Sequence, residues 1–294
     1  MRKFFLFLGV LCWSAGLLQA QNIAVGQWKA HLSQNDPIDL FIAGNRVYAW
    51  TNDGFARFDL QTRETRALSK IDGFSSMGVS YAAYHPSFQT VVIGYKNANI
   101  DLLLKDGNIY NVPDLNNASV NGSKEIYKIS FHDQYAFFSC GFGILVYDLE
   151  RLESSADYKS DVIRNVRSTE VFQNEIYAAT TNGLFKAPLP TAGISVDASL
   201  WTKVADGSFR DMVQAEGALY LWNDSVVSKF DGIQITPLFT NKNFRKLKSF
   251  QNEVFLTTDS GVYLLTESPI AFESLEGSRS SIRYQEDWFY ASLG

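Results

Sequence analysis

Short runs in which apolar and polar residues alternate, each broken by a polar turn containing glycine, recur along the chain. Asn174–Pro188 reads N-E-I-Y-A-A-T-T-N-G-L-F-K-A-P, Asn45–Asp59 reads N-R-V-Y-A-W-T-N-D-G-F-A-R-F-D, and Asn252–Leu265 reads N-E-V-F-L-T-T-D-S-G-V-Y-L-L. Period-two alternation running into Asn-Gly, Asp-Gly or Ser-Gly predicts a β-hairpin, because the tight turn needs a positive φ that glycine adopts without a Cβ clash. Aligned on the hairpin glycine or its equivalent, the units stand at Gly54, Ala98, Gly143, Gly183, Ser225 and Gly261, spaced 44, 45, 40, 42 and 36 residues apart. A period near 40 with about four short strands per unit predicts an all-β chain of the β-propeller class, with about seven four-stranded blades. The second unit shows the strands in order: Val79–Tyr84, Thr90–Tyr95, Ile100–Leu104 and a fourth beyond the Asp106-Gly107 turn. Gln285–Gly294 repeats Gln251–Gly261 with one residue missing, so a last blade is expected to be incomplete or to be closed by the amino-terminal strand at Ile23–Leu32. An open blade edge would present unpaired backbone donors and acceptors, so residues 21–294 are expected to be one propeller domain of a longer protein.

The first twenty residues break the alternation. Met1–Ala20 has a basic head (Arg2, Lys3), an apolar run from Phe4 to Leu18 and a small residue at Ala20, the layout of a signal peptide cleaved before Gln21. The run is short for a membrane span of roughly 20 residues, so no transmembrane segment is expected after cleavage. Of the two cysteines, Cys12 lies in this leader, which leaves Cys140 alone in an exported domain without an intrachain disulfide. Stability must then come from packing, and the 14% aromatic content suits sheets packed face to face. A net charge of −5 without a basic block argues against nucleic acid as a partner.

Candidate chemistry is sparse. Arg167, Arg210 and Arg245 each precede by ten residues the aromatic of the next strand, Tyr177, Tyr220 and Phe255. First strands of propeller blades line the central channel, so the three arginines are a candidate anion-binding arc at one mouth, for a carboxylate, phosphate or acidic glycan; the alternative is a solvated strand start paired with nearby acids. His31, His85 and His132 fall in different units without metal-ligand spacing, and no metal or cofactor is expected. His132-Asp133 and Cys140 have the residue types of a nucleophilic dyad, but a cysteine in an alternating aromatic strand reads as a core residue. Asp53, Asp59, Asp101, Asp148, Asp231 and Asp259 recur singly at hairpins and strand ends, which predicts turn bonding to backbone amides rather than an acid–base pair. Walker, zinc and nucleophile-elbow motifs are missing from the sequence, and no catalytic residue is expected.

Ser69–Leu103 contains G-F-S-S-x-x-V-x-x-x-x-Y (Gly73 to Tyr84) ahead of an alternating strand and hairpin, and this resembles the two-component-regulator propeller repeat. G-Q-W-K-A-H-L at Gly26–Leu32, Y-K-N-A-N-I-D-L-L at Tyr95–Leu103 and S-C-G-F-G-I at Ser139–Ile144, in that order, resemble the amino-terminal propellers of the PorZ family from the type IX secretion system of Bacteroidetes. The resemblance runs from about Gln21 to the end of the chain. It implies a non-enzymatic cell-surface, outer-membrane-associated component of the attachment complex. There a partner protease cleaves the carboxy-terminal sorting domain of secreted cargo, and the cargo is joined to anionic lipopolysaccharide. The implied partners are proteins of that complex and anionic lipopolysaccharide. Members of the family carry a second propeller and a sorting domain, which this sequence lacks. Two other readings stay open: a periplasmic ligand-sensing propeller of a hybrid two-component regulator, and a propeller lyase or glycosidase, which would need carboxylates or a Tyr-His pair converging at one mouth.

Overall fold

A computed structural model describes residues 37–51, 54–159, 161–189, 198–240, 243–272, 278–284 and 287–292. The leader, the proposed closing strand at residues 23–32, His31 and Asp53 lie outside the described residues, as does part of the last repeat.

Strands follow one another as antiparallel neighbours and form six four-stranded sheets. Blade 1 holds Asp39–Ala43, Arg46–Trp50, Phe55–Asp59 and Thr65–Leu68, and the pattern repeats in blades 2 to 6. The innermost strands are Asp39–Ala43, Val79–His85, Ile126–His132, Val166–Phe172, Phe209–Ala215 and Phe244–Phe250. Among the described residues there are thus six four-stranded blades rather than about seven; a seventh sheet, called blade 7 below, has two described strands, Ser278–Tyr284 and Asp287–Ser292. The inner strands touch in sequence around a ring, and Ser278–Tyr284 touches Asp39–Ala43, which returns the ring to its start.

Aromatic and aliphatic side chains fill the wedge between each pair of neighbouring four-stranded blades, as their alternation requires. Trp50, Phe55, Phe74 and Tyr95 pack between blades 1 and 2, and Phe138, Cys140, Phe142 and Tyr147 between blades 2 and 3. Cys140 is a fully buried core residue without a disulfide, and burial pushes its thiol up.

Two turn types set the register. In blades 4, 5 and 6 the loop between first and second strands is a two-residue turn with both φ positive, as at Gln173-Asn174 (50° and 62°) between Phe172 and Glu175, the type I′ arrangement that matches strand twist. The glycine hairpin between second and third strands is different. Gly143 has φ 142°, and a Cβ there would lie 2.1 Å from the Tyr158 carbonyl oxygen, so glycine is required by the close passage of the fourth strand. The G-F-S-S motif also has a structural use. Asp101, fully buried, accepts from Ser75 N (2.8 Å), Tyr95 Oη (2.7 Å) and Asn111 Nδ2 (2.9 Å), while Asn99 Nδ2 donates to Ser75 Oγ (2.7 Å). The linker into blade 2 is therefore clasped to that blade's own hairpin.

Candidate functional site

The start of the inner strand is irregular in six of the seven sheets. The register skips one residue there, a β-bulge, at Ser80, Tyr127, Arg167, Arg210, Arg245 and Arg279. A bulge leaves its extra residue unpaired and re-aims its neighbours. The three sequence-identified arginines are thus the bulged residues of blades 4, 5 and 6, at equivalent places on the mouth that carries the glycine hairpins. Arg279 holds the same register position in the next sheet, and sequence reading missed it because only its placement in the ladder reveals the equivalence.

The arc is not a bare row of cations. Arg210 Nε stands 3.4 Å from Asp224 Oδ1 with both side chains 62% exposed, and Arg245 pairs with Asp259. Exposed pairs of this kind are worth at most about 1 kcal/mol and leave the guanidinium available to a stronger anion. Arg167 instead lies 4.1 Å from the centroid of the Tyr127 ring, the bulged residue of blade 3.

Immediately after each bulge the chain sends a residue into the axis. Tyr81, Lys128, Ser168, Asp211, Lys246 and Ser280, with Asp39 from the bulge-free blade 1, occupy this level, one from each inner strand. Lys128 Nζ contacts Asp211 Oδ1 at 2.8 Å and Glu170 Oε1 at 3.5 Å, and donates to the Met212 carbonyl. Asp39, 2% exposed, contacts Lys246 Nζ at 2.7 Å and also pairs with Lys248 and accepts from Ser280 Oγ. Lys246 Nζ sits 4.9 Å from the centroid of the Tyr81 ring.

These groups tune one another. Burial alone would raise the Asp39 carboxyl, but Lys246 and Lys248 overcome it and hold the group well below the usual carboxylate range. Lys128 and Lys246 are pushed up because their carboxylate partners outweigh the burial that would pull them down. Lys248 is pulled down by burial and by Lys246, since a single Asp39 charge serves both ammonium groups. Burial pushes Glu170 up to about 7; Lys128 opposes the shift and Asp211 adds to it. Chemically the channel is a set of satisfied ion pairs that crosses between blades 1, 6 and 7 and between blades 3, 4 and 5. Among the described residues it aligns no nucleophile with a base.

Other expectations resolve one by one. Cys140 and His132 sit at opposite ends of their hairpin, Cys140 opposite Gly143 and His132 opposite Tyr135, so they form no dyad. His85 packs on Phe88 and Phe131 at ring distances of 5.0 and 4.9 Å, with Nε2 2.6 Å from the Asp133 carbonyl. Asp59, Asp148 and Asp231 do cap turns, each accepting from two backbone amides. Asp101 and Asp259 do not: the first is the buried clasp and the second the partner of Arg245. Among the described residues no three His, Cys, Asp or Glu side chains cluster to hold a metal, and no helix is long and apolar enough to cross a membrane.

Comparison with known proteins gives a consistent result. The family model described as "TSS9, PorZ, N-terminal beta-propeller domain" matches residues 47–202, more than half of the chain. PorZ of Porphyromonas gingivalis, described as an essential bacterial surface component of the type-IX secretion system, is similar in structure with a TM-score of 0.76 and 18% identity; the likeness covers 90% of this chain and 37% of that one. The extracellular domain of a protein described as a hybrid two component system from B. thetaiotaomicron has a TM-score of 0.67 at 10% identity, over 89% of this chain and 39% of that one. Raptor from Chaetomium thermophilum reaches 0.65 at 12% identity, over 89% of this chain and 27% of that one. At these identities the structural likeness shows the propeller fold. No curated protein matches the chain by sequence.

Proposed function

Because the chain belongs to the family of PorZ amino-terminal β-propeller domains of the type IX secretion system, we propose that it serves that system as a non-enzymatic interaction module at the cell surface. The observation that carries this reading is the family match across residues 47–202, which spans blades 2 and 3 whole and most of blades 1 and 4. A non-enzymatic role is supported by the channel, where each buried ionisable side chain is spent on a partner from another blade.

In this reading the leader directs export. The arginine mouth, Arg167, Arg210 and Arg245, faces an anionic partner of the attachment complex, with anionic lipopolysaccharide as the ligand. Guanidinium forks held at repeated positions suit spaced anionic groups on a polymer. The chain spans little more than a third of the similar PorZ structure, so other domains of a whole protein would share the work.

Proximity labelling from the chain on living cells tests the module. Labelling of secretion-system proteins supports it, and labelling of a sensor kinase instead supports the ligand-sensing reading, which has the fold likeness to the hybrid two-component protein behind it. For the mouth, replacing Arg167, Arg210 and Arg245 by alanine should weaken binding to purified anionic lipopolysaccharide; unchanged affinity rejects that surface.

A further inference from the structure

A second cationic feature lies away from the arginine mouth. Between blades 1 and 2, at the end of the wedge where the first strands finish in Gly44-Asn45 and the third in Asp106-Gly107, the apolar packing gives way to a cleft of about 490 Å³. Pockets of roughly 300–1,000 Å³ are the size that encloses a small ligand. The first strand of each blade starts at the arginine mouth and ends here, so the two sites are on opposite faces of the ring.

One wall of the cleft is a row across blade 1: Phe41 stands opposite Tyr48, Tyr48 opposite Arg57, and Arg57 opposite Arg66. Two like charges directly across a ladder repel and destabilise the pair unless an anion compensates them. Arg66 has its anion, with Nη2 2.6 Å from Asp72 Oδ1, and Arg46 beside them has Asp59 at 3.6 Å. Arg57 is half-buried and makes no hydrogen bond or ion pair among the described residues. Two tyrosine hydroxyls share the cleft with it. Tyr48 is only 3% exposed, and among the described residues neither its hydroxyl nor that of Tyr84 makes a hydrogen bond, although the two act on each other electrostatically. Tyr48 and Tyr84 both line the cleft. An acid at the rim, Asp106, is engaged in its own turn by Asn108 N and Nδ2 at 2.9 and 2.7 Å.

We propose that this cleft is a binding site for a small carboxylate-bearing ligand, with Arg57 receiving the carboxylate and Tyr48 and Tyr84 donating to its polar body. One uncompensated guanidinium beside an arginine already paired calls for a single negative charge, which suits a carboxylate better than a phosphate dianion. The planar fork of Arg57 matches a carboxylate by two parallel N–H···O bonds. Both the fork and the hydroxyls are fixed by strands rather than loops, so the site is preformed.

The test titrates the whole chain calorimetrically with four probes: a glucuronate-containing disaccharide, an acidic tripeptide, the neutral disaccharide and inorganic phosphate. At least one carboxylate probe binds at or below roughly millimolar concentration, and Arg57→Gln weakens it by about tenfold or more. The disaccharide and the tripeptide separate a saccharide source from a peptide source. Without ligand, Arg57→Gln holds or raises the melting temperature, because it removes the repulsion with Arg66. The assignment is overturned if no carboxylate probe binds, if phosphate alone binds, or if Arg57→Gln leaves affinity unaltered. It is equally overturned if Arg57→Gln lowers the melting temperature, since the arginine is then a structural brace.

Discussion

Replacing Asp39 by alanine should be among the most costly single changes on this chain. The carboxylate is 2% exposed and sits where blade 1 meets blades 6 and 7, holding Lys246 at 2.7 Å together with Lys248 and the Ser280 hydroxyl. Its removal strands two ammonium groups that are 19% and 16% exposed. Breaking one buried ion pair costs about 3–5 kcal/mol, because the remaining charge keeps its desolvation penalty without its partner. Here Lys246 retains the Tyr81 ring and Lys248 the Leu40 carbonyl, so the lower end of that range applies. For a domain of this size that loss lowers the melting temperature on the order of 10 °C. Urea denaturation and calorimetry of both proteins between pH 5 and 8 measure it. The sign of the pH dependence is also fixed. Asp39 is held below its ordinary value of 3.8, so the stability it contributes is complete above that pH and is lost as acid protonates it. The deficit of Asp39→Ala should therefore be level from pH 5 to 8 and shrink in acid. Adding Lys246→Met and Lys248→Met should recover most of the loss, since an apolar replacement of a buried cluster is often neutral. A deficit below about 1 kcal/mol, or one that the two methionines deepen, refutes the view that this cluster ties the ring.

Three further outcomes follow from the same geometry. Glu170, pushed up to about 7 from an ordinary 4.5, keeps a proton in the folded state that the unfolded chain has released, so stability falls as pH rises between those values. Glu170→Gln should match the parent near pH 4.5 and exceed it at pH 8 by on the order of 1 kcal/mol in thermal melts, leaving Lys128 paired with Asp211. Gly143→Ala forces a Cβ against the Tyr158 carbonyl at an unfavourable φ, and chemical denaturation should show a loss of about 3 kcal/mol or more. Asp101→Ala leaves Tyr95 Oη and Ser75 N buried without an acceptor, and should cost about 3 kcal/mol, with faster hydrogen exchange at residues 73–76.

The propeller could be read from the sequence because each hairpin is a local event: alternation, turn and glycine all lie within fifteen residues of Asn174. The channel could not. Lys128 meets Asp211 across 83 positions, and Asp39 meets Ser280 across 241. A single residue also reverses the reading there. In V-R-S, F-R-D and F-R-K the bulge at the arginine shifts the alternation by one, so Ser168, Asp211 and Lys246 face the axis while Arg167, Arg210 and Arg245 are left at the mouth. The arginines stand at the edge of the channel, and their successors fill it. Arg57 escaped notice for a related reason, since its lack of a partner is visible only once Arg46 and Arg66 are seen to have theirs.

Deleting the gene from its own bacterium and following a secreted reporter that carries a carboxy-terminal sorting domain is the most direct test of a secretion role. The account predicts that the reporter keeps its sorting domain and fails to attach to the cell surface, and that returning the parent gene restores attachment. Normal processing and attachment of the reporter in the deletion strain would contradict it.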